Sequence, residues 1–153
     1  MARASIAVMT MTGDQVGTRA VEGDAAEFRE ARRAFGAALG GFRRSAVLVP
    51  LDDRGGLWTT SYGGVWWIHA FSDEDALADF ARTRDGHTGR QWDYVSVLGA
   101  RLLDVVIPGM GEPAGVALDP GGVHPMLFPP LMGVVPDTAA VDGALYAYEE
   151  GAQ

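Results

Sequence analysis

His69, His87 and His124 are the only imidazoles in this 153-residue chain, and there is no cysteine. An imidazole serves as a general base or a metal ligand when other polar groups converge on it. Metal-ligating spacings such as HxH or HExxH do not occur. The absent thiols exclude disulfides, thiolate metal sites and a cysteine nucleophile. Ser61 and Ser72 lack the GxSxG setting that exposes a nucleophile on a strained turn. Gly109-Met110-Gly111 with Gly115 has the glycines of a dinucleotide loop, but the third is misplaced and the segment leads into a strand, so phosphate cannot be cradled. Asp73, Glu74 and Asp75 follow Ser72 where a helix begins, and the helix dipole accounts for three acids there without a divalent ion. No catalytic, cofactor-binding or metal-ligating residue is therefore expected.

The elements that carry these residues can be read from periodicity. Asp24 with Glu27 reads as the start of a helix. Phe28, Ala31, Phe35 and Leu39 then form one apolar stripe, and Gly40-Gly41 reads as its stop. Residues 1–23 read as an arm with a short strand at Ile6–Met11. Ala46–Leu51 is a short apolar run suited to a buried central strand. Leu57–Phe71 reads as a hairpin turning at Gly63-Gly64, because a type I′ turn needs positive φ at both positions. A two-residue loop sets Tyr62 opposite Val65, Thr60 opposite Trp67 and Trp58 opposite His69. One face then carries Trp58, Thr60, Tyr62, Val65, Trp67 and His69. The other carries Leu57, Thr59, Ser61, Trp66, Ile68 and Ala70, so neither is plainly polar. Ser72 is the expected cap of a second helix that buries Ala76, Leu77, Phe80 and Ala81. A polar loop over Arg82–Arg90, a strand or extended stretch at Trp92–Leu98, a short helix at Ala100–Val106 and a strand at Val116–Leu118 follow. Four prolines in His124–Pro136 keep that apolar stretch from forming a long helix or central strand, making it a lid over the sheet or a docking segment. An Asp137-capped helix toward Tyr148 completes the reading. The expected fold class is α+β: a mainly antiparallel sheet, a meander around Ala46–Phe71 plus the Val116–Leu118 strand, with helices on one face. The expected organisation is an N-terminal arm (1–23), one α+β domain (24–132) and a C-terminal tail (133–153).

With 48% apolar and 21% charged residues, the composition is that of a folded globular domain. The net charge is −8, and every basic residue is Arg. Acidity repels phosphate backbones and anionic lipids, so neither nucleic acid nor membrane is an expected partner. Arg29, Arg32, Arg33, Arg43 and Arg44 are interrupted by acids and read as solvated helix faces. Arg without Lys, alongside abundant Ala, Gly and Asp, suggests a GC-rich bacterial genome. No apolar run reaches membrane-spanning length and the N-terminus does not read as a signal peptide, so a cytoplasmic location is expected.

Four stretches carry a family likeness: Val47-Leu48-Val49-Pro50; Trp66 through Phe71-Ser72-Asp73-Glu74 leading into a helix with Ala76, Leu77 and Phe80; Leu102-Leu103-Asp104; and Gly115 through Asp119-Pro120-Gly121. In this order, over roughly Ala26–Pro130, the chain resembles the bacterial SseB N-terminal domain family. Asp119 stands where members often have Asn, and both residues cap turns through a side-chain oxygen. The resemblance implies an α+β sheet domain and no particular reaction. The second domain of many longer members is expected to be absent.

The aromatic hairpin remains as the feature in search of a role. Trp58, Tyr62 and Trp67, with Met126, Phe128 and Leu131 from the proline-rich segment, are the candidate partner-binding residues, since aromatics anchor interfaces. The function expected is a non-catalytic adaptor or regulatory module that binds another protein or a second copy of itself. The competing expectation is a small-ligand binder or enzyme whose pocket lies between the hairpin and the Arg82–Arg90 loop, with His69, His87 and Arg90 as its polar groups.

Overall fold

The computed structural model describes residues 14–85 and 91–142, with backbone alone for 14–22 and 85. The chain divides between Ala38 and Leu39 into two units. Helix α1 (Asp14–Arg43) contains the first described residues and its last turn belongs to the second unit. It starts well before Asp24 and runs through Gly40-Gly41, so neither expected boundary stands. The last turn is held by packing, which overrides glycine's poor propensity: the Phe42 ring stacks on Phe128 at 4.6 Å. The backbone there is tightly fitted as well, since a Cβ on Gly99 would sit 2.0 Å from the Phe42 carbonyl oxygen. Of the expected stripe, Phe28 is 67% exposed, Ala31 is exposed, and Phe35 and Leu39 are half-buried.

The second unit is α+β. Strand β1 (Ala46–Pro50) pairs antiparallel with β4 (Tyr94–Leu98), Val47 facing Val97 and Val49 facing Val95. Four further strands form a sheet in the order β2 (Thr59–Tyr62), β3 (Val65–Ala70), β5 (Ala114–Leu118), β6 (Met126–Phe128). The two sheets are stitched together where Leu48 and Phe71 exchange backbone hydrogen bonds of 2.8 Å each way, and where Trp58 N–H donates to the Pro50 carbonyl. The hairpin has the expected register: Thr60 faces Trp67, Tyr62 faces Val65, and Gly63 and Gly64 have φ of 61° and 79°. β1 makes its main ladder with β4, touching the hairpin through single bridges, so the meander is completed by a strand from further along the chain. β3 and β5 run parallel, Ile68 beside Val116 and His69 beside Ala117. Parallel pairing requires a crossover. It is supplied by α2 (Glu74–Asp85), β4 and the helical run α3, composed of Gly99–Arg101, a π-helical stretch Leu102–Val106 and Ile107–Met110.

Strand alternation assigns the two faces. Ile68, Ala70, Val116 and Phe128 share one, and all four are buried. Phe42 of α1 packs there. His69 and Phe71 share the other face, where Phe80 of α2 lies 5.4 Å and 5.0 Å from their rings. Helical residues thus reach both faces, which extends the expectation of helices on one side, and α2 covers the second face only around His69 and Phe71. Leu102, Leu103 and Ile107 of α3, with Val134 and Val135, complete the core. Ion pairing at its margin joins Arg43 to Asp104 through two hydrogen bonds of 3.0 and 2.6 Å.

The segment His124–Pro136 is more regular than its prolines suggest. Met126–Phe128 forms edge strand β6 on β5, an edge being the position in a sheet that tolerates flanking prolines. Asp137–Ala139 makes a single 3-10 turn. Ile6–Met11 and the stretch toward Tyr148 lie outside the described residues.

Candidate functional site

Two candidate surfaces lie on the side of the sheet bearing His69. The first is the half of that face away from α2. Trp67 stands opposite Gly115 on β5, and a Cβ at Gly115 would fall 2.7 Å from Trp67 Cζ3. The bare glycine therefore lets the indole settle onto the sheet backbone, leaving Trp67 half-buried. Tyr62 on β2 is 81% exposed and Leu127 on β6 is 56% exposed, and the register puts both side chains on the Trp67 face. These three residues come from three strands of one face, with the polar Thr60 beside Trp67.

The expected partner-binding residues divide unequally. Tyr62, Trp67 and Leu131 (38% exposed) are accessible at least in part, and Met126 is half-buried. Phe128 is fully buried against Phe42 and belongs to the core. Trp58 is half-buried by this chain's own residues: its ring lies 4.9 Å from Trp92 and under the Arg84 guanidinium, 5.4 Å away. Leu127 and Arg84 are not among the residues expected from sequence to form a site, and Gly115 enters there only as part of a glycine-rich segment and a family motif. A glycine directly across from a tryptophan is a usable signal, but only once the parallel β3–β5 register is known.

His69 behaves as a packing residue. It is 8% exposed, and its Nε2 lies 2.9 Å from Thr60 Oγ1 across the hairpin. Its Nδ1 and the neighbouring Trp58 Nε1 are buried without hydrogen-bond partners. Burial, reinforced by the positive charge of Arg84, holds the imidazole below its ordinary pKa of 6.5 and so in its neutral form. His87 and Arg90, the other members of the expected pocket, lie outside the described residues.

The second surface is a cleft of about 570 Å3 at the carboxyl ends of β3 and β5. Phe71, Phe80 and Val123 supply apolar walls, with Asp79, Asp119 and His124 as polar groups. The ends of parallel strands are where open sheets commonly bind ligands. The cleft is shaped by a clamp between two motif segments. The Asp119 carboxylate accepts from Ser72 N–H at 2.8 Å and from Ser72 Oγ–H at 2.7 Å. Asp119 is the one non-glycine residue at positive φ, 49°, among the described residues. Asx residues tolerate that conformation better than others. Ser72 is thus committed to Asp119 and does not cap α2; Asp73 does, its Oδ1 accepting from Ala76 N–H at 2.8 Å. Glu74 accepts from the Tyr94 hydroxyl at 2.8 Å, which raises the tyrosine pKa. Two of the three acids of this segment, Asp73 and Glu74, thus have structural partners. Among the described residues no group of three or more His, Asp or Glu is placed to hold a metal ion, and no helix is long and apolar enough to cross a membrane.

Gly111 ends α3 at φ 71°, so the glycines of the 109–115 segment close a helix and admit Trp67 instead of binding phosphate. No curated protein and no solved structure matches this chain. The family model for the SseB protein N-terminal domain matches residues 23–132, which takes in α1 from Gly23, both sheets and the Ser72–Asp119 clamp. The chain belongs to the SseB N-terminal domain family.

Proposed function

We propose that this domain is a non-catalytic interaction module that presents the Tyr62, Trp67 and Leu127 face to another protein. The observation that carries this reading is apolar surface from three strands left open beside a face that α2 covers only at its other end. Large apolar side chains clustered in the open favour partners over solvent, and Tyr and Trp are frequent interface anchors. The acidic chain favours a protein partner over nucleic acid or a lipid surface, and the cell interior is the setting consistent with its cysteine-free sequence. The test is affinity capture from a bacterial cell extract with wild type beside Tyr62→Ala/Leu127→Asp. A protein retained by wild type and lost by the variant, at unchanged melting temperature, supports the reading. Equal retention by both rejects this face.

A second reading, small-ligand binding, draws on the cleft at the ends of β3 and β5, whose volume is in the range of ligand sites. This cleft is separate from the expected pocket of His69, His87 and Arg90, of which His87 and Arg90 lie outside the described residues. Ala76→Trp would fill the cleft, so a small molecule that stabilises wild type but not this variant would favour this reading.

A further inference from the structure

We propose that β4 pairs antiparallel with β4 of a second copy of this chain, across a dyad at Ser96, so that the two β1–β4 sheets become one sheet of four strands. This goes beyond the interaction reading by naming a partner, and it uses none of the Tyr62, Trp67 and Leu127 face. β4 is the outer strand of its sheet. It is bonded to β1 along one edge, and among the described residues no strand lies along the other. Sheet edges are usually guarded by charge, proline or shortness. Edge strand β6 is guarded in this way, having three residues set between Pro125 and Pro129. β4 is not: Tyr94-Val95-Ser96-Val97-Leu98 contains no charge and no proline, and none of its five residues is buried. Tyr94 is 41% exposed and Leu98 47%.

The ladder with β1 fixes which backbone groups face outward. Leu51 N–H donates to the Asp93 carbonyl and Gly99 N–H to the Ser45 carbonyl, each at 2.8 Å. Bonded and non-bonded pairs alternate in an antiparallel ladder. Val95 and Val97 therefore bond to β1, while the peptide groups of Tyr94 and Ser96 and the Leu98 N–H point to the open edge. The strand is nearly a palindrome about Ser96, with two apolar residues on either side. A dyad there sets Ser96 opposite Ser96, Tyr94 opposite Leu98 and Val95 opposite Val97 of the other copy. The outward groups then fall in the hydrogen-bonded pairs, and the valines meet in the closer non-bonded ones. Each contact occurs twice, as a two-fold interface requires. Charge selects the direction. Asp93 precedes the strand and the Tyr94 hydroxyl holds Glu74 near that end, whereas Arg101 follows beyond Leu98. Antiparallel pairing brings the acidic end of each strand to the Arg101 end of the other. Parallel pairing would set Asp93 beside Asp93 and Arg101 beside Arg101.

The experiment is sedimentation of the full chain over a range of concentrations, with amide hydrogen exchange followed by NMR at the two extremes. Wild type is expected to show a monomer–dimer equilibrium. The Tyr94 and Ser96 amides should exchange ~10-fold more slowly at the higher concentration, while those of Val95 and Val97, already bonded to β1, change little. Ser96→Lys should be monomeric at an unchanged urea midpoint, because it sets like charges across the dyad and leaves the β1 ladder intact. Asp93→Arg and Arg101→Asp should each raise the dimer Kd ~5-fold, in keeping with exposed ion pairs. The double swap should return the Kd to near the wild-type value, since it rebuilds both pairs reversed. A wild type that is monomeric throughout overturns the proposal, as does a dimer that survives Ser96→Lys or a double swap that fails to recover. Tyr62→Ala/Leu127→Asp should dimerise as wild type does, and Ser96→Lys should retain any protein captured by that face, so the two readings fail separately.

Discussion

Replacing Asp119 probes the clamp that joins the end of β5 to the β3–α2 junction. Alanine removes two hydrogen bonds to Ser72, of 2.8 and 2.7 Å. Each is worth about 0.5–1.5 kcal/mol net, since water competes at this half-exposed site. Alanine at φ 49° also carries left-handed strain of about 1 kcal/mol that an Asx side chain offsets. Asp119→Ala should therefore cost ~2–3 kcal/mol. Asparagine keeps one acceptor and the tolerance of positive φ, so Asp119→Asn should cost ~1 kcal/mol. Glycine loses both bonds but relieves the strain, so Asp119→Gly should fall between the two. Urea unfolding reads all three: with a slope of about 2 kcal/mol per molar, the alanine midpoint falls by ~1 M or slightly more. A cycle with Ser72→Ala should show a coupling of ~1 kcal/mol between the two sites. If Asp119→Ala unfolds within ~0.5 kcal/mol of wild type, or the two substitutions are additive, the clamp does not hold the junction and the reasoning fails.

Gly115→Ala should destabilise by ~1–3 kcal/mol, because the added methyl meets the Trp67 ring and the Phe128 carbonyl oxygen, at 2.7 and 2.6 Å; a shift in tryptophan emission would accompany it, and unchanged stability and emission would contradict the packing. Phe128→Ala should cost ~3–5 kcal/mol as a buried aromatic deletion, and a cost near zero in thermal unfolding would return Phe128 to the surface. His69 stays neutral in the fold because its pKa is lowered by burial and then by Arg84. The unfolded chain takes up that proton and the folded chain resists it, so stability is full above about 6.5 and declines as pH falls through that value. Comparing urea midpoints at pH 7.5 and 5.5 should show a fall for wild type that His69→Gln reduces; an equal fall in both would assign it to other groups.

Local features were the legible ones. The hairpin register followed from two glycines that supply positive φ at adjacent positions, together with the period-two alternation, and the structure reproduces it pair by pair. β1 and the α+β class were equally readable, because apolar runs bounded by turn residues need no long-range information. The clamp was half legible: Ser72 and Asp119 each stood in a recognisable motif, yet nothing in either segment said that they meet. The same holds for Trp67 over Gly115, which depends on a parallel pairing made after a long crossover. The helix limits failed for another reason. Asp24 and Gly40-Gly41 are local signals, and the Phe42 contact with Phe128 overrides the second of them. Phe128 was placed among surface candidates because prolines on both sides suggested an irregular segment, whereas an edge strand accommodates them.

The parallel β3–β5 pairing has a consequence for the order in which the chain assembles. β2 and β3 can close as soon as both are synthesised, since only Gly63-Gly64 separates them. β5 reaches β3 only after α2, β4 and α3 have been made. Until then Val65-Trp66-Trp67-Ile68-His69-Ala70 offers an open strand edge with no lysine, acid or proline to guard it. A nascent chain is thus exposed to edge-to-edge association over the whole interval between the hairpin and β5. A chain truncated after Gly111 should aggregate where the full chain stays dispersed, and the strand that gives Trp67 its seat is also the one that closes this hazard.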